Sequence, residues 1–267
     1  MTSTTGATGS DTGPDTGSDT GPDQLAYLGF YDMPPVQPAN DAYWAAIRAR
    51  LGYGPDRLSR PDDLWPVWRA PNLLLGQTCS LPYRAHLHDR VQLVGTPDFG
   101  LPGCQPGHYR SAIVVRRGER PRDGARLGIN DAFSQSGWGN PRAWLVEQGI
   151  TPGPILATGG HARTVVALAE GRVDMAGIDL LSWTMLDELG LLPAGLEIVG
   201  HTAPSLGTPY ITAPGNDADA IAAAITAAIS DLPDPVRRAL HLRGLVRHDP
   251  AAYLAEATPP HPDAGTA

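Results

Sequence analysis

Ile129-Asn130-Asp131-Ala132-Phe133-Ser134-Gln135-Ser136-Gly137-Trp138 is the end of an apolar strand running into small hydroxyl and amide side chains, just ahead of a helical pattern. In open α/β sheets ligands collect beyond the carboxyl ends of strands. A helix start there leaves backbone N–H groups without carbonyl partners and carries a partial positive charge, so it holds phosphate-like or carboxylate groups without any lysine. Ser134, Gln135 and Ser136 would add side-chain donors at the same point. Ser and Asn before a helix are also ordinary caps. On this stretch alone the oxyanion cradle and the plain cap both stand.

Outward from it, strand and helix patterns alternate. Upstream, residues 26–31, 72–77, 91–96 and 110–116 read as strands, and residues 41–51 place Tyr43, Trp44, Ile47 and Leu51 at helical spacing with Gly52 as a stop. Downstream, residues 126–130, 155–157, 173–179, 196–200 and 208–213 read as strands. Helical patterns follow them at 142–148, 162–170, 183–189, 218–230 and 235–245. Such alternation predicts an α/β protein, and the order predicts two α/β lobes joined by two crossings. Lobe 1 takes residues 24–108 with 204–257, and lobe 2 takes residues 109–203. Residues 1–23, almost all Thr, Gly, Ser, Asp and Pro, read as a disordered leader. Residues 258–267, with Pro259, Pro260 and Pro262, read as a disordered tail.

Composition removes several functions. With 42% hydrophobic residues in 267, the chain has enough to build a core. All 20 of its Lys and Arg residues are Arg, which rules out a P-loop nucleotide site and Schiff-base or pyridoxal chemistry, since both require Lys. A net charge of −8 argues against nucleic acid as a partner, while a local anion site needs only a few oriented donors. No run of about 18 apolar residues predicts a membrane span. The first 23 residues lack the basic and apolar regions of a secretory signal. Cys79 and Cys104 both follow strands, and the compartment decides between a disulfide and two free thiols.

The polar residues at strand ends are the candidates for a site: Tyr31 with Asp32, Gln77 with Thr78, residues 130–136, Gly160 with His161, and Asp179. His161 opens a predicted helix, where the dipole keeps it neutral unless an anion binds; a backbone bond would explain it as well. Asp179, after an apolar strand, needs a partner when buried: a backbone amide, Arg163 or a ligand ammonium. Ser136, His161 and Asp179 can be drawn as a triad, but no Gly-x-Ser-x-Gly elbow frames Ser136. No metal-ligand spacing is present either.

Taken together, Leu-Leu-Gly-Gln-Thr-Cys-Ser-Leu-Pro (74–82), Asp-Phe-Gly-Leu-Pro-Gly-Cys (98–104), Tyr-Arg-Ser-Ala-Ile-Val-Val-Arg (109–116), the 129–137 stretch, Thr-Gly-Gly-His (158–161), Asp-Met-Ala-Gly-Ile-Asp (174–179) and Pro-Tyr-Ile-Thr (209–212) resemble the phosphate/phosphite/phosphonate-binding family of ABC-transporter solute receptors. The resemblance runs over about residues 26–255. It implies a type II periplasmic-binding-protein fold with the anion held between the lobes, binding without catalysis or cofactor, and a monomer serving an ABC permease. By position, Ser134, Gln135 and Ser136 resemble the phosphoryl-binding turn, where Gln135 departs from the family's Ser-Thr-Ser. His161 is similar to the cleft histidine, and Asp179 to the acidic residue that faces an ammonium in aminoalkylphosphonate binders. Tyr31 and Gln77 stand where the family often has cleft aromatics. The resemblance implies an extracytoplasmic site of action, although no secretory signal or lipobox Cys is read in the sequence, with the cytoplasm as the alternative. A cytoplasmic enzyme, or a sensory binding module on the same fold, is the alternative it leaves open.

Overall fold

The computed structural model describes residue 1 and residues 24–265. The expected leader therefore falls, apart from Met1, outside the described residues.

The chain first lays down β1 (Leu25–Tyr27), β2 (Leu73–Gln77) and β3 (Gln92–Asp98), then the short β4 (His108–Tyr109). It continues through β5 (Ser111–Arg116), β6 (Leu127–Ile129), β7 (Ile155–Ala157), β8 (Met175–Asp179) and β9 (Leu196–His201). It returns through β10 (Ser205–Leu206) to β11 (Tyr210–Thr212) and β12 (Gly244–Val246). One five-stranded sheet has the order β1-β2-β11-β3-β12 and the other β7-β6-β8-β5-β9, with the β10-β4 ladder between them. This is the architecture of two α/β lobes with two crossings. The crossings meet in antiparallel register, Ser205 opposite Tyr109 and Leu206 opposite His108.

β2 and β8 are buried along their whole length, which is why they read as unbroken apolar runs and not as alternating patterns. Helix Gln37–Leu51 buries Tyr43, Trp44 and Ile47 and packs against helix Ala218–Asp231 on the first sheet. Gly52 at φ 80° ends the first of these helices, its N–H bonded to the Arg48 carbonyl.

Three expected segments differ. The strand expected over residues 26–31 ends at Tyr27, and Gly29–Tyr31 is a 3-10 turn, so Tyr31 stands on a turn and not at a strand end. The helical pattern at 235–245 breaks: helix Asp234–Ala239 gives way to a left-handed turn at His241 (φ 52°), and the chain re-enters the first sheet as β12. Leu245 then lies over Gly95, where a Cβ would come within 2.9 Å of its Cγ, so the close strand pairing outweighs the helical spacing. The expected tail is ordered as far as it is described. Trp138 Nε1 donates to the Pro260 carbonyl at 2.9 Å, Arg84 Nε to Thr258 Oγ1 at 3.3 Å, and Pro262–Gly265 forms a 3-10 turn. Proline-rich composition favours disorder, but a donor on each lobe bonds this segment.

Candidate functional site

The parallel strands β6, β7 and β8 all end at one side of their sheet, and each end leads to a helix start. After β6 the chain enters a π-helical turn, Gln135–Gly139, that continues as helix Asn140–Glu147. Ser134 caps this turn, its Oγ accepting from the Gly137 N–H at 2.9 Å. Two close contacts fix the turn's position. A Cβ on Gly137 would sit 1.7 Å from Asn130 Oδ1, and one on Gly177 of β8 would sit 1.9 Å from Pro141 Cγ. Ser111 of β5 ties the turn down by donating to the Ser136 carbonyl at 2.8 Å.

Beside it, helix His161–Ala169 begins at Gly160, and the third start, helix Leu180–Glu188, is capped by Asp179. The turn and these two helix starts border a cavity of about 420 Å³ between the lobes. Ser134, Ser136, His161 and Asp179 reach it from lobe 2, and Tyr31, Cys79 and Thr208 from lobe 1. Ser136 Oγ lies 2.9 Å from His161 Nε2 and 3.5 Å from Ser134 Oγ, so two hydroxyls and an imidazole form one chain on the lobe 2 wall. His161 Nδ1 is buried without a partner. Burial lowers its pKa to about 4, which leaves a neutral ring at pH 7.

Asp179 is 2% exposed. Its Oδ1 accepts the Ser182 N–H at 2.8 Å and its Oδ2 the Tyr31 hydroxyl at 3.2 Å. Burial still outweighs these bonds and raises its pKa to about 6. Tyr31, buried against Phe99, is held well above the usual phenol range by burial first and by the Asp179 charge second. The remaining wall carboxylate, Asp32, is paired with Arg60 at 2.6 Å.

Of the residues singled out in the sequence, Ser134, Ser136, His161, Asp179 and Tyr31 come together on the cavity. Gln77 and Gln135 do not line it. Gln77 Nε2 donates to Thr208 Oγ1 at 3.0 Å and so supports a wall residue from behind. Gln135 faces away, accepting from Arg84 Nη2 at 2.6 Å and donating to Asn140 Oδ1 at 2.5 Å. Cys79 and Cys104 are separate thiols. Cys79 Sγ is engaged by the Gln135 N–H at 3.3 Å and the Tyr109 hydroxyl at 3.5 Å. Thr208 was not singled out; its only sequence signal is the place just before Pro209 on the return crossing.

The triad drawn from sequence does not assemble, because Asp179 is bonded to Ser182 and Tyr31 and not to His161. Among the described residues no group of three His, Cys, Asp or Glu side chains could hold a metal ion, and no helix is long and apolar enough to cross a membrane.

The sequence model of a family described as "ABC transporter, phosphonate, periplasmic substrate-binding protein" matches residues 76–253. No curated protein matches the chain. Among solved structures, PhnD1 from Prochlorococcus marinus in complex with methylphosphonate is similar at a TM-score of 0.69 and 12% identity, covering 86% of this chain and 93% of that one. A binding protein component of an ABC phosphonate transporter from Pseudomonas aeruginosa aligns at a TM-score of 0.62 and 12% identity, over 84% and 82% of the two chains. A histidine kinase sensor domain with similarity to periplasmic binding proteins aligns at 0.57 and 15%, over 84% and 98%. These identities carry the fold.

Proposed function

The chain belongs to the phosphonate family of ABC-transporter periplasmic substrate-binding proteins, and from that premise we propose that it captures a phosphorus oxyanion between its lobes for delivery to a permease. The observation that carries this reading is the convergence of Ser134, Ser136, His161 and two helix starts on one interlobe cavity in a chain without lysine. In this reading the oxyanion accepts hydrogen bonds from the hydroxyls of Ser134 and Ser136 and is attracted by the dipoles of the turn and of helix His161–Ala169. His161, neutral in the free protein, donates from Nε2 and gains a proton at Nδ1 if the anion's charge raises its pKa. The lobes close because the ligand touches both, a ligand-driven population shift about the β4-β10 ladder.

Calorimetric titration of dialysed protein with phosphate, phosphite, methylphosphonate, 2-aminoethylphosphonate and a dicarboxylate tests the proposal. One phosphorus oxyanion should bind at micromolar Kd or tighter. Ser136→Ala should weaken it by about tenfold, as expected for one lost bond to a charged group, while leaving the fold intact. Affinity undiminished in Ser136→Ala would remove the cradle assignment. The likeness to a sensor domain supports a second reading, capture for signalling, which predicts the same binding but a partner other than a permease.

A further inference from the structure

A second chamber of about 330 Å³ opens beside the first and shares Phe30, Cys79, Asn130, Ser134 and Arg163 with it. Its own lining is of a different kind, with the rings of Trp65, Trp68 and Phe133 and the carboxylates Asp62, Asp63 and Asp131. We propose that this chamber takes a quaternary ammonium group carried by the same ligand, so that the cleft binds a zwitterion with a phosphoryl group at one end and a methylated ammonium at the other. The inference rests on the oxyanion reading of the first chamber.

Three features select this chemistry. The wall is a continuous aromatic cluster, Phe30 stacked on Trp68 at 6.3 Å, Trp65 edge-on to Trp68 at 5.2 Å and to Phe133 at 5.4 Å. Trp65 already receives one cation, the Arg69 guanidinium lying over its ring at 4.8 Å from the centroid. Such rings attract cations through their quadrupole. The carboxylates select for positive charge, and Asp62, Asp63 and Asp131 are all exposed. Asp63 Oδ1 accepts the Trp65 N–H at 3.1 Å and Asp131 Oδ1 the Phe133 N–H at 2.7 Å, so the acids are fixed beside the rings. The aromatic wall offers little hydrogen-bonding capacity, which a primary ammonium would need when desolvated and a quaternary one does not. Arg163, the cation shared by both chambers, donates from Nε to the Thr158 carbonyl at 2.8 Å and from Nη2 to the Gly159 carbonyl. These bonds hold its guanidinium at the start of its own helix, His161–Ala169.

The test titrates the full chain with methylphosphonate, phosphoethanolamine, phosphocholine and phenyl phosphate. Phosphocholine should bind about tenfold tighter than the other three. Trp65→Ala should remove that advantage and Asp62→Asn reduce it, both with methylphosphonate affinity unchanged. Asp62 is exposed, so its variant keeps the test sound if Trp65→Ala fails to fold. Methylphosphonate binding with no advantage for phosphocholine overturns the proposal and leaves the oxyanion reading intact. An equal gain with phenyl phosphate also overturns it, because flatness and not charge would then be read. Silence toward all four overturns the oxyanion reading and this proposal with it.

Discussion

Asp179 and His161 share the cavity wall, and burial moves them in opposite directions, the acid up to about 6 and the imidazole down to about 4. As pH falls, the folded state takes up the Asp179 proton before the unfolded chain does, so this group adds stability between about pH 6 and 4. His161 does the reverse. The unfolded imidazole protonates first, near its ordinary 6.5, and stability is lost as pH falls from 6.5 toward 4. Asp179→Asn should therefore show a steeper loss of stability on acidification than the parent, and His161→Gln a shallower one. Denaturant midpoints at half-unit steps from pH 4.5 to 7 measure both differences, and identical profiles in all three proteins would contradict the assigned burial. Ser134, Ser136 and His161 were legible in the sequence because their signal is local, a strand end followed by a helix start. The orientation of Gln77 and Gln135 was not. Whether a buried amide faces the cavity or the wall behind it depends on distant partners, Thr208 in one case and Arg84 in the other.

The element that makes the site is the π-helical turn at Gln135–Gly139, and its height above the sheet is set by the missing side chain at Gly177. A Cβ there meets Pro141 Cγ at 1.9 Å and the Ser136 carbonyl at 3.1 Å. Gly177→Ala should push the turn outward, destabilise the protein by about 1–3 kcal/mol through overpacking, and weaken oxyanion binding together with stability. Gly215→Ala is the control, since nothing lies within 4 Å of its added Cβ. Denaturant unfolding and methylphosphonate titration of the two variants separate the cases; equal behaviour would show that Gly177 does not position the turn. Element type was legible along most of the chain because the buried strands read as apolar runs and the helices carry the 3.6-residue spacing. It failed at β12, whose Gly244–Val246 has no strand pattern of its own and pairs only because the edge of β3 is available to it. Helix Leu180–Glu188 starts three residues earlier than its apolar spacing suggested, because Asp179 caps it through Ser182.

At the scale of the whole molecule, the lobes are joined by more than the crossings. Tyr31 to Asp179, Arg84 to Gln135 at 2.6 Å, Asn140 to Ser205 at 3.0 Å and His241 to Glu188 at 2.9 Å tie one lobe to the other or to the crossing between them. No periodicity reveals these pairs, because each partner satisfies its own local pattern without the other. The segment after Glu256 strengthens the connection. Arg84, buried in lobe 1, donates to Ala257 and Thr258, and Trp138, buried in lobe 2, donates to Pro260. The strap thus runs across the back of the π-helical turn, and none of its described residues lines the interlobe cavity. Removing residues 257–267 should leave the Arg84 guanidinium short of acceptors in a site whose burial already lowers its pKa. Buried donors left without partners lose about 1–3 kcal/mol, which in a chain of this size lowers the melting midpoint by roughly 5 °C. Methylphosphonate affinity should stay within about twofold, because the cavity wall is untouched. A truncated chain with an unchanged midpoint would mean that the crossings alone hold the lobes. One that melts normally but loses the anion would mean that the strap sets the position of the cradle itself.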